Sequence, residues 1–273
     1  QRQMCIRDRD CYIEIIMHFK KDILQLQKAI KDDTVWRIED ICSSDSDFHN
    51  CGKQVFVIEL DNGIKIVYKP HSLYAEQCYD KLFSAISIDC GFCGYERKII
   101  FRNEYGWEEF CENKECESKE AVEDYYQRFG IIMAIAYILH TGDLHYENII
   151  AKSEFPVLID CETLLCNWNH VLKKNTVLDK IRILLSDSVL FSGLLPRHVY
   201  GDQNKFDVDV SALSGVEGQI FPIKVPKIVN VGTDEMKVAY VNPCTGKTAN
   251  IPKILGENVK VEEYYSFITA EYY

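Results

Sequence analysis

Alternating hydrophobic and polar positions predict two β-hairpins in the first part of the chain. In QVFVIELDNGIKIVYKP (54–70) the alternation runs up to Asn62 and Gly63 and resumes after them, and this dipeptide favours the positive φ angles of a tight turn. RKIIFRNEYGWEEF (97–110) predicts a second hairpin that turns near residues 103–106. Apolar residues at helical spacing predict helices over 11–31 and 73–86.

The pattern changes in the second part of the chain. A long helix is predicted at about 119–140, and GDLHYENIIAKSEFPVLIDCE (142–162) then predicts a loop, a strand, a turn and a second strand. Beyond residue 166, helical spacing over 180–195 precedes a glycine-rich loop at 214–219. This order predicts an α+β fold of two lobes, with a sheet-rich small lobe over 10–115 and a helical large lobe over 116–273.

Charge and hydropathy exclude two classes of partner. The formal net charge is −11 at pH 7, which opposes a general grip on nucleic-acid phosphates. No apolar run approaches the ~18–20 residues that cross a bilayer. The longest, IIMAIAYIL (131–139), predicts a core helix instead. We therefore expect no nucleic-acid partner and no membrane span.

The twelve cysteines indicate a reducing compartment. The chain shows no signal peptide and no compact disulfide framework, so we expect reduced thiols and a cytoplasmic protein. Cys90, Cys93, Cys111 and Cys116 form a C-x2-C…C-x4-C pattern whose spacing fits a structural zinc. The alternative is chance pairing in a cysteine-rich chain, and the sequence leaves both open.

Both ends of the chain are unusual. QRQMCIRDR (1–9) lacks an initiating Met, and its MCIRDR is what a common sequencing-library transposon end encodes when translated. We expect residues 1–9 to be sequencing read-through. The chain stops at ITAEYY without a capping signal, so we expect a fragment that is truncated at both ends.

Polar residues bracket the two strands predicted within 142–162. Asn148 precedes the first strand and Asp160 follows the second, and both carry the hard oxygen atoms that Mg²⁺ prefers. Glu162 joins them on the same side if strand geometry persists beyond Asp160. Asp143 is placed to reach a substrate hydroxyl, and Lys69 at the end of a hairpin strand is placed to neutralise phosphates. These are the parts that phosphoryl transfer requires.

Each of these residues also has a structural interpretation. A lone D-x4-N is more often turn chemistry, because Asp and Asn stabilise turns. His145 is about equally a structural histidine that hydrogen-bonds the loop and a catalytic one. Lys65, on the same hairpin as Lys69, is expected to be a solvated charge. The combination of motifs favours function more strongly than any one residue.

The motifs carry a resemblance to a known family. GDLHYENII followed by VLIDCE resembles the catalytic loop and metal-binding strand end of the lipid-kinase branch of the kinase superfamily, with DCE in place of D-F-G. Together with VYKPHSL (67–73), YGWEEF (105–110), SDFHNCGKQV (46–55) and SVLFSGLLP (188–196), the pattern is similar to the dehydratase domain of class II lanthipeptide synthetases, the LanM type. The resemblance runs from about residue 40 to about residue 215.

The resemblance implies a kinase-like fold and an ATP- and Mg²⁺-dependent reaction. Such domains phosphorylate Ser and Thr side chains of a precursor peptide and then eliminate the phosphate, which leaves dehydroalanine or dehydrobutyrine. It also implies a C-terminal zinc cyclase domain in the same polypeptide and elimination residues downstream of residue 273. Two alternatives stay open: a kinase of a lipid or small molecule, and a non-catalytic peptide-binding fragment.

Roles for individual residues follow from the same resemblance. Lys69 contacts the phosphates, Asp143 orients or deprotonates the hydroxyl, and His145 supports that loop. The implied metal ligands are Asn148, Asp160 and Glu162. The loop that covers the phosphates contains Asp47, His49 and Gly52, with Cys51 where an extra glycine is usual. YGWEEF corresponds to the hinge, where backbone groups would pair with adenine.

Overall fold

The computed structural model describes residues 2–43, 53–166, 176–196, 198–200, 207–230 and 233–272. Asp47, His49 and Gly52 of the predicted phosphate-covering loop lie outside these residues. The chain divides into two compact units, residues 1–85 with 93–110 and residues 86–92 with 111–273. The first unit ends at residue 110, near the lobe boundary predicted between residues 115 and 116. Residues 86–92, which were predicted in the small lobe, belong to the second unit.

The first unit contains a five-stranded antiparallel sheet in the order β1-β2-β3-β5-β4. Its strands are β1 Ile38–Ser43, β2 Phe56–Leu60, β3 Lys65–Lys69, β4 Ile99–Phe101 and β5 Gly106–Glu109. Strands β2 and β3 form the first predicted hairpin, with a φ of 81° at Gly63 in its turn. Strands β4 and β5 form the second. Both hairpin predictions are confirmed, and β1 is an additional strand.

Helix α1, Arg2–Ile30, packs its apolar stripe into the core of the first unit. Ile15, Phe19 and Leu26 of this helix cluster with sheet residues such as Ile58 and Trp107, all of them almost fully buried. The helix predicted over 11–31 is therefore confirmed, and it begins earlier, at Arg2. Helix α2, Tyr74–Asp89, confirms the helix predicted at 73–86.

A buried carboxylate joins α1 to the β4–β5 hairpin. Asp22 is 1% exposed and accepts hydrogen bonds from the Trp107 indole nitrogen (3.0 Å), the Tyr105 hydroxyl (2.9 Å) and the Arg102 guanidinium (2.7 Å). Burial raises the pKa of Asp22, but these three donors favour the carboxylate and hold the pKa below its ordinary value. The ionised form of Asp22 is thus part of the folded state.

The second unit is built around helix α3, Lys119–Ile138, which confirms the long helix predicted at about 119–140. The Ser118 side chain accepts a hydrogen bond from the Ala121 N–H and caps the helix N-terminus. Helix α3 packs against α5, Tyr265–Tyr272. None of the helices in the described ranges is long and apolar enough to cross a membrane.

Four two-stranded antiparallel pairs accompany the helices of the second unit in the described residues. They are β6 Ile149–Lys152 with β7 Phe155–Leu158, β8 His198–Tyr200 with β9 Asp207–Asp209, β10 Val225–Val229 with β11 Lys237–Val241, and β12 Lys253–Ile254 with β13 Glu257–Asn258. Helix α4, Val177–Ser186, covers only part of the predicted 180–195 segment, and a 3₁₀ turn follows at Val189–Ser192. The unit therefore holds more strand than the predicted helical lobe.

Replacing Asp22 with Ala should destabilise the first unit. The change removes the acceptor of the Trp107 and Tyr105 donors, and a buried donor left unpaired costs about 1–3 kcal/mol. Asp33→Ala, at an exposed position, is the control and should leave the urea midpoint unchanged.

The effect of Asp22→Ala should also depend on pH. Because its folded pKa is depressed, Asp22 contributes stability above its unfolded pKa of about 3.9, and this is lost as the pH falls through the lower folded value. The difference in urea midpoint between the parent protein and Asp22→Ala should therefore become smaller below about pH 4. A pH-independent gap would contradict the assigned role of the carboxylate.

Candidate functional site

Lys69 ends strand β3 and is held among carboxylates inside the first unit. Lys69 is 7% exposed, and its Nζ lies 3.0 Å from Oε1 of Glu108 and 3.8 Å from Oε1 of Glu76. Glu108 comes from the adjacent strand β5, and Glu76 from the first turn of α2. The predicted phosphate-binding lysine is thus a buried, paired cation.

Glu108, the partner of Lys69, also contacts a second cation, Arg97, which is paired with Asp80. The Arg97 guanidinium donates to Oε2 of Glu108 at 3.2 Å and to both carboxylate oxygens of Asp80 at 2.9 and 3.0 Å. The Arg97 side chain is fully buried. Sequence reasoning missed this network. A signal was available, because Glu76 and Asp80 stand four residues apart, and therefore on one face, in a helix that packs against the core.

The buried charges shift one another's pKa values. Burial lowers the pKa of Lys69, but Glu108 and Glu76 more than offset this, so the pKa lies above its ordinary value and the ammonium stays charged at neutral pH. Burial raises the pKa of Glu76, against the opposing effect of Lys69. Burial likewise raises the pKa of Asp80, although Arg97 lowers it in part. The Lys69 ammonium is therefore charged in the folded protein.

In the second unit, the loop from Leu139 to Asn148 is fixed by backbone hydrogen bonds to distant segments. The Leu144 N–H donates to the Ser192 carbonyl at 2.7 Å, and the Tyr146 N–H donates to the Val210 carbonyl at 3.1 Å. Leu144 and Tyr146 are buried, so they anchor the loop, while Asp143 between the helix and these anchors remains exposed. The loop is thus held on both sides of the predicted catalytic positions.

Asp143 adopts a left-handed backbone conformation with a φ of 60°. Asp tolerates this region better than most residues. The Asn148 side-chain amide donates to the Asp143 carbonyl at 2.7 Å and so holds the conformation. The Asp143 side chain is 69% exposed. The loop therefore presents a carboxylate to solvent on a backbone that a second predicted site residue keeps in place.

His145 connects the two ends of this loop. Its Nδ1 accepts a hydrogen bond from the Glu147 N–H at 3.3 Å, which assigns the proton of the neutral ring to Nε2. Nε2 lies 3.9 Å from Oδ1 of Asp143. Nε2 is therefore the ring nitrogen on the side of the Asp143 carboxylate, at a distance beyond a direct hydrogen bond.

The β6–β7 hairpin brings Asn148 and Asp160 to the same end. Ile149 pairs with Leu158, and the Ile159 N–H donates to the Asn148 carbonyl at 2.9 Å. Asn148 therefore precedes one strand where Asp160 follows its partner, as the sequence predicts. Because the Asn148 NH₂ group bonds to Asp143, its Oδ1 is the atom that remains as a hard donor.

The expectation for Glu162 needs correction. Strand β7 ends at Leu158, so alternation does not carry Glu162 to the side of Asp160; instead a turn forms, in which the Glu162 N–H donates to Oδ1 of Asp160 at 3.0 Å. The assignment of YGWEEF to the hinge stays a prediction. In YGWEEF, the backbone of Gly106–Glu109 pairs with β3 on one side and β4 on the other.

No group of three or more His, Cys, Asp or Glu side chains suited to a metal ion occurs within the described ranges. Of the cysteines considered for zinc, Cys90 and Cys93 are exposed, and Cys111 and Cys116 are buried. Asn148 and Asp160 supply one carboxylate and one amide. That set resembles sites in which Mg²⁺ takes one or two protein carboxylates and completes its shell with water and substrate phosphates.

Replacing Lys69 with Met should destabilise the first unit by about 3 kcal/mol or more, because the buried Glu76 loses the ammonium beside it and Glu108 keeps only Arg97. The matched control is Lys65→Met on the same strand, whose partner Glu59 lies 3.5 Å away at the surface. That change should cost less than about 0.5 kcal/mol. Chemical denaturation of both variants is the measurement, and equal midpoints would contradict the buried pairing.

Comparison with known proteins agrees with the motifs. The model of the family described as "Domain of unknown function (DUF4135)" matches residues 2–272. The chain is also 32% identical over 237 residues to the Lacticin 481/lactococcin biosynthesis protein LcnDR2 of Lactococcus lactis subsp. lactis. This match covers 82% of the chain and 24% of that relative, so the chain spans about a quarter of its length. The chain belongs to the DUF4135 family, and the resemblance to class II lanthipeptide synthetases is confirmed.

Proposed function

We propose that this chain carries out the ATP-dependent phosphorylation of Ser and Thr side chains in a ribosomal precursor peptide, as the first half of their dehydration. The observation that carries the proposal is the arrangement at the end of the β6–β7 hairpin. There Asn148 holds the backbone of Asp143 and stands opposite the start of the segment that contains Asp160. Membership of the DUF4135 family and similarity to a lantibiotic biosynthesis protein support a role in lanthipeptide biosynthesis.

The donor set suits Mg²⁺ together with a nucleotide. Oδ1 of Asn148 and the carboxylate of Asp160 would hold the ion, and Glu162 is a further ligand if its turn reorients. When bound, Mg²⁺ supplies neutralisation of the charge on the transferring phosphoryl group. Lys69, kept ionised by its carboxylate neighbours, is assigned to the nucleotide phosphates, as in kinases that present a lysine from a strand. We accordingly propose the two-lobed kinase-like fold for the whole chain.

The remaining residues act on the peptide hydroxyl. Asp143 accepts the proton of the Ser or Thr hydroxyl. At the same time the hydroxyl oxygen forms a bond to the γ-phosphorus of ATP, and the bond between that phosphorus and ADP breaks. His145 positions the Asp143 carboxylate through its Nε2–H side. A later base removes the α-proton, and the electron pair forms the Cα–Cβ double bond while phosphate leaves with the former hydroxyl oxygen. Phosphorylation is needed because a hydroxyl is a poor leaving group and a phosphate is a good one.

Mass spectrometry of a precursor peptide incubated with the protein and Mg-ATP tests this proposal. With the parent protein, we expect the peptide to gain a phosphate group or to lose one water per Ser or Thr. Asp143→Asn should reduce either product by about 100-fold or more, since general base catalysis contributes on that scale. Phosphate gain that never proceeds to water loss would favour the alternative of a plain kinase. ATP turnover absent from the full-length protein would favour a peptide-binding module.

Replacing Asp160 with Asn should weaken the binding of Mg-ATP at least about tenfold while the fold survives, because one ligand oxygen loses its charge. Isothermal calorimetry with Mg-ATP gives the affinity, and circular dichroism gives the fold. Asp234→Asn, at an exposed position away from the β6–β7 hairpin, is the matched control. If both variants bind Mg-ATP as the parent does, Asp160 is not a metal ligand.

A further inference from the structure

A cavity of about 350 Å³ opens beside Asp143 within the second unit. Four segments of the chain form its walls: the catalytic loop, the end of the 3₁₀ turn, the residues after β9, and the segment before β10. The lining residues are Asp143, His145, Tyr146, Glu147, Phe191, Gly193, Val210, Ser211 and Phe221. Its size is at the lower end of the range of ligand pockets, about 300–1,000 Å³.

The lining of the cavity combines apolar and acidic side chains. Phe191, Val210 and Phe221 supply aromatic and aliphatic surface. The carboxylates in the lining belong to Asp143 and Glu147, whose side chains are 69% and 57% exposed. Among the described residues that line the cavity there is no Lys or Arg. An anionic group such as a nucleotide phosphate is therefore disfavoured there, and an uncharged apolar group is favoured.

The cavity is preformed by backbone hydrogen bonds. The Val210 carbonyl accepts from the Tyr146 N–H, which ties the catalytic loop to the segment after β9. Phe221 is fixed on both sides, because its N–H donates to the Pro243 carbonyl at 2.8 Å and its carbonyl accepts from the Asn242 side chain at 2.8 Å. Walls held in this way need little reorganisation when a ligand enters.

We propose that this cavity receives an apolar side chain of the substrate peptide, from a residue next to the Ser or Thr that reacts. The proposal rests on the proposed function, because it takes Asp143 as the group that reaches the hydroxyl. An extended peptide advances about 3.3 Å per residue, so a cavity that shares Asp143 as a wall meets the immediate neighbours of the reacting residue. The substrate class is therefore Ser and Thr residues with apolar flanks, and acidic flanks are repelled by Asp143 and Glu147.

Binding of two labelled pentapeptides to the full-length protein tests the cavity without relying on turnover. The peptides differ only at the residues that flank a central serine, with leucine in one and glycine in the other. Fluorescence anisotropy should show that the parent prefers the leucine peptide by about tenfold, the scale of a side chain entering an apolar pocket. Equal affinities in the parent would overturn the proposal.

Variants then locate the preference. Val210→Trp fills the cavity and should abolish the preference for leucine, whereas Ile220→Trp adds the same side chain at a 54% exposed position outside the lining and should keep it. Phe221→Ala removes a wall and should also reduce the preference, so the proposal stays testable if Val210→Trp fails to fold. A preference that survives in both cavity variants would overturn it.

The same peptides incubated with Mg-ATP separate this inference from the proposed function. If the leucine peptide binds more tightly but neither peptide gains phosphate or loses water, the cavity proposal stands and the proposed reaction is wrong. Modification that is equal for both peptides in rate and in KM would leave the chemistry in place and remove the cavity as a specificity pocket.

Discussion

The requirement that buried backbone groups find hydrogen-bond partners governs the loop between α3 and β6. Leu144 and Tyr146 enter the interior, so their N–H groups must be satisfied there. Their acceptors, the carbonyls of Ser192 and Val210, come from segments that are far away in sequence. These two bonds fix the backbone on both sides of His145, and so help to position the exposed Asp143 carboxylate.

His140 adds a second attachment at the start of the same loop. Its Nδ1 lies 2.8 Å from the Cys166 carbonyl and its Nε2 lies 2.8 Å from the Ser186 carbonyl. The ring also stacks on Phe191 with the centroids 5.3 Å apart, and Phe191 is a wall of the apolar cavity. The loop, the segment after Asp160 and the cavity are therefore connected through one side chain.

Local patterns predicted the local structure well and the long-range contacts poorly. Alternation on either side of Asn62 and Gly63 predicts the first hairpin. The two strands predicted within 142–162 place Asn148 opposite the residue before Asp160. Both predictions succeed because each hairpin is formed by residues that are close in sequence. Glu162 departed from its prediction because a turn replaced the strand after Leu158. The pairing of Lys69 with Glu108 was missed because the two residues lie on different hairpins, and a local pattern does not show which strands of different hairpins become neighbours.

Two glycines let neighbouring segments pack closely against the loop between α3 and β6. Gly193, with a φ of 86°, approaches Leu144 so closely that a Cβ would lie 3.2–3.3 Å from three atoms of its backbone. A Cβ at Gly215 would lie 2.5 Å from the Ser211 carbonyl and 2.9 Å from the Tyr146 Cβ. These two glycines allow the segments that accept the loop's hydrogen bonds to reach it. A side chain at either glycine would therefore push its segment away from the loop that carries Asp143.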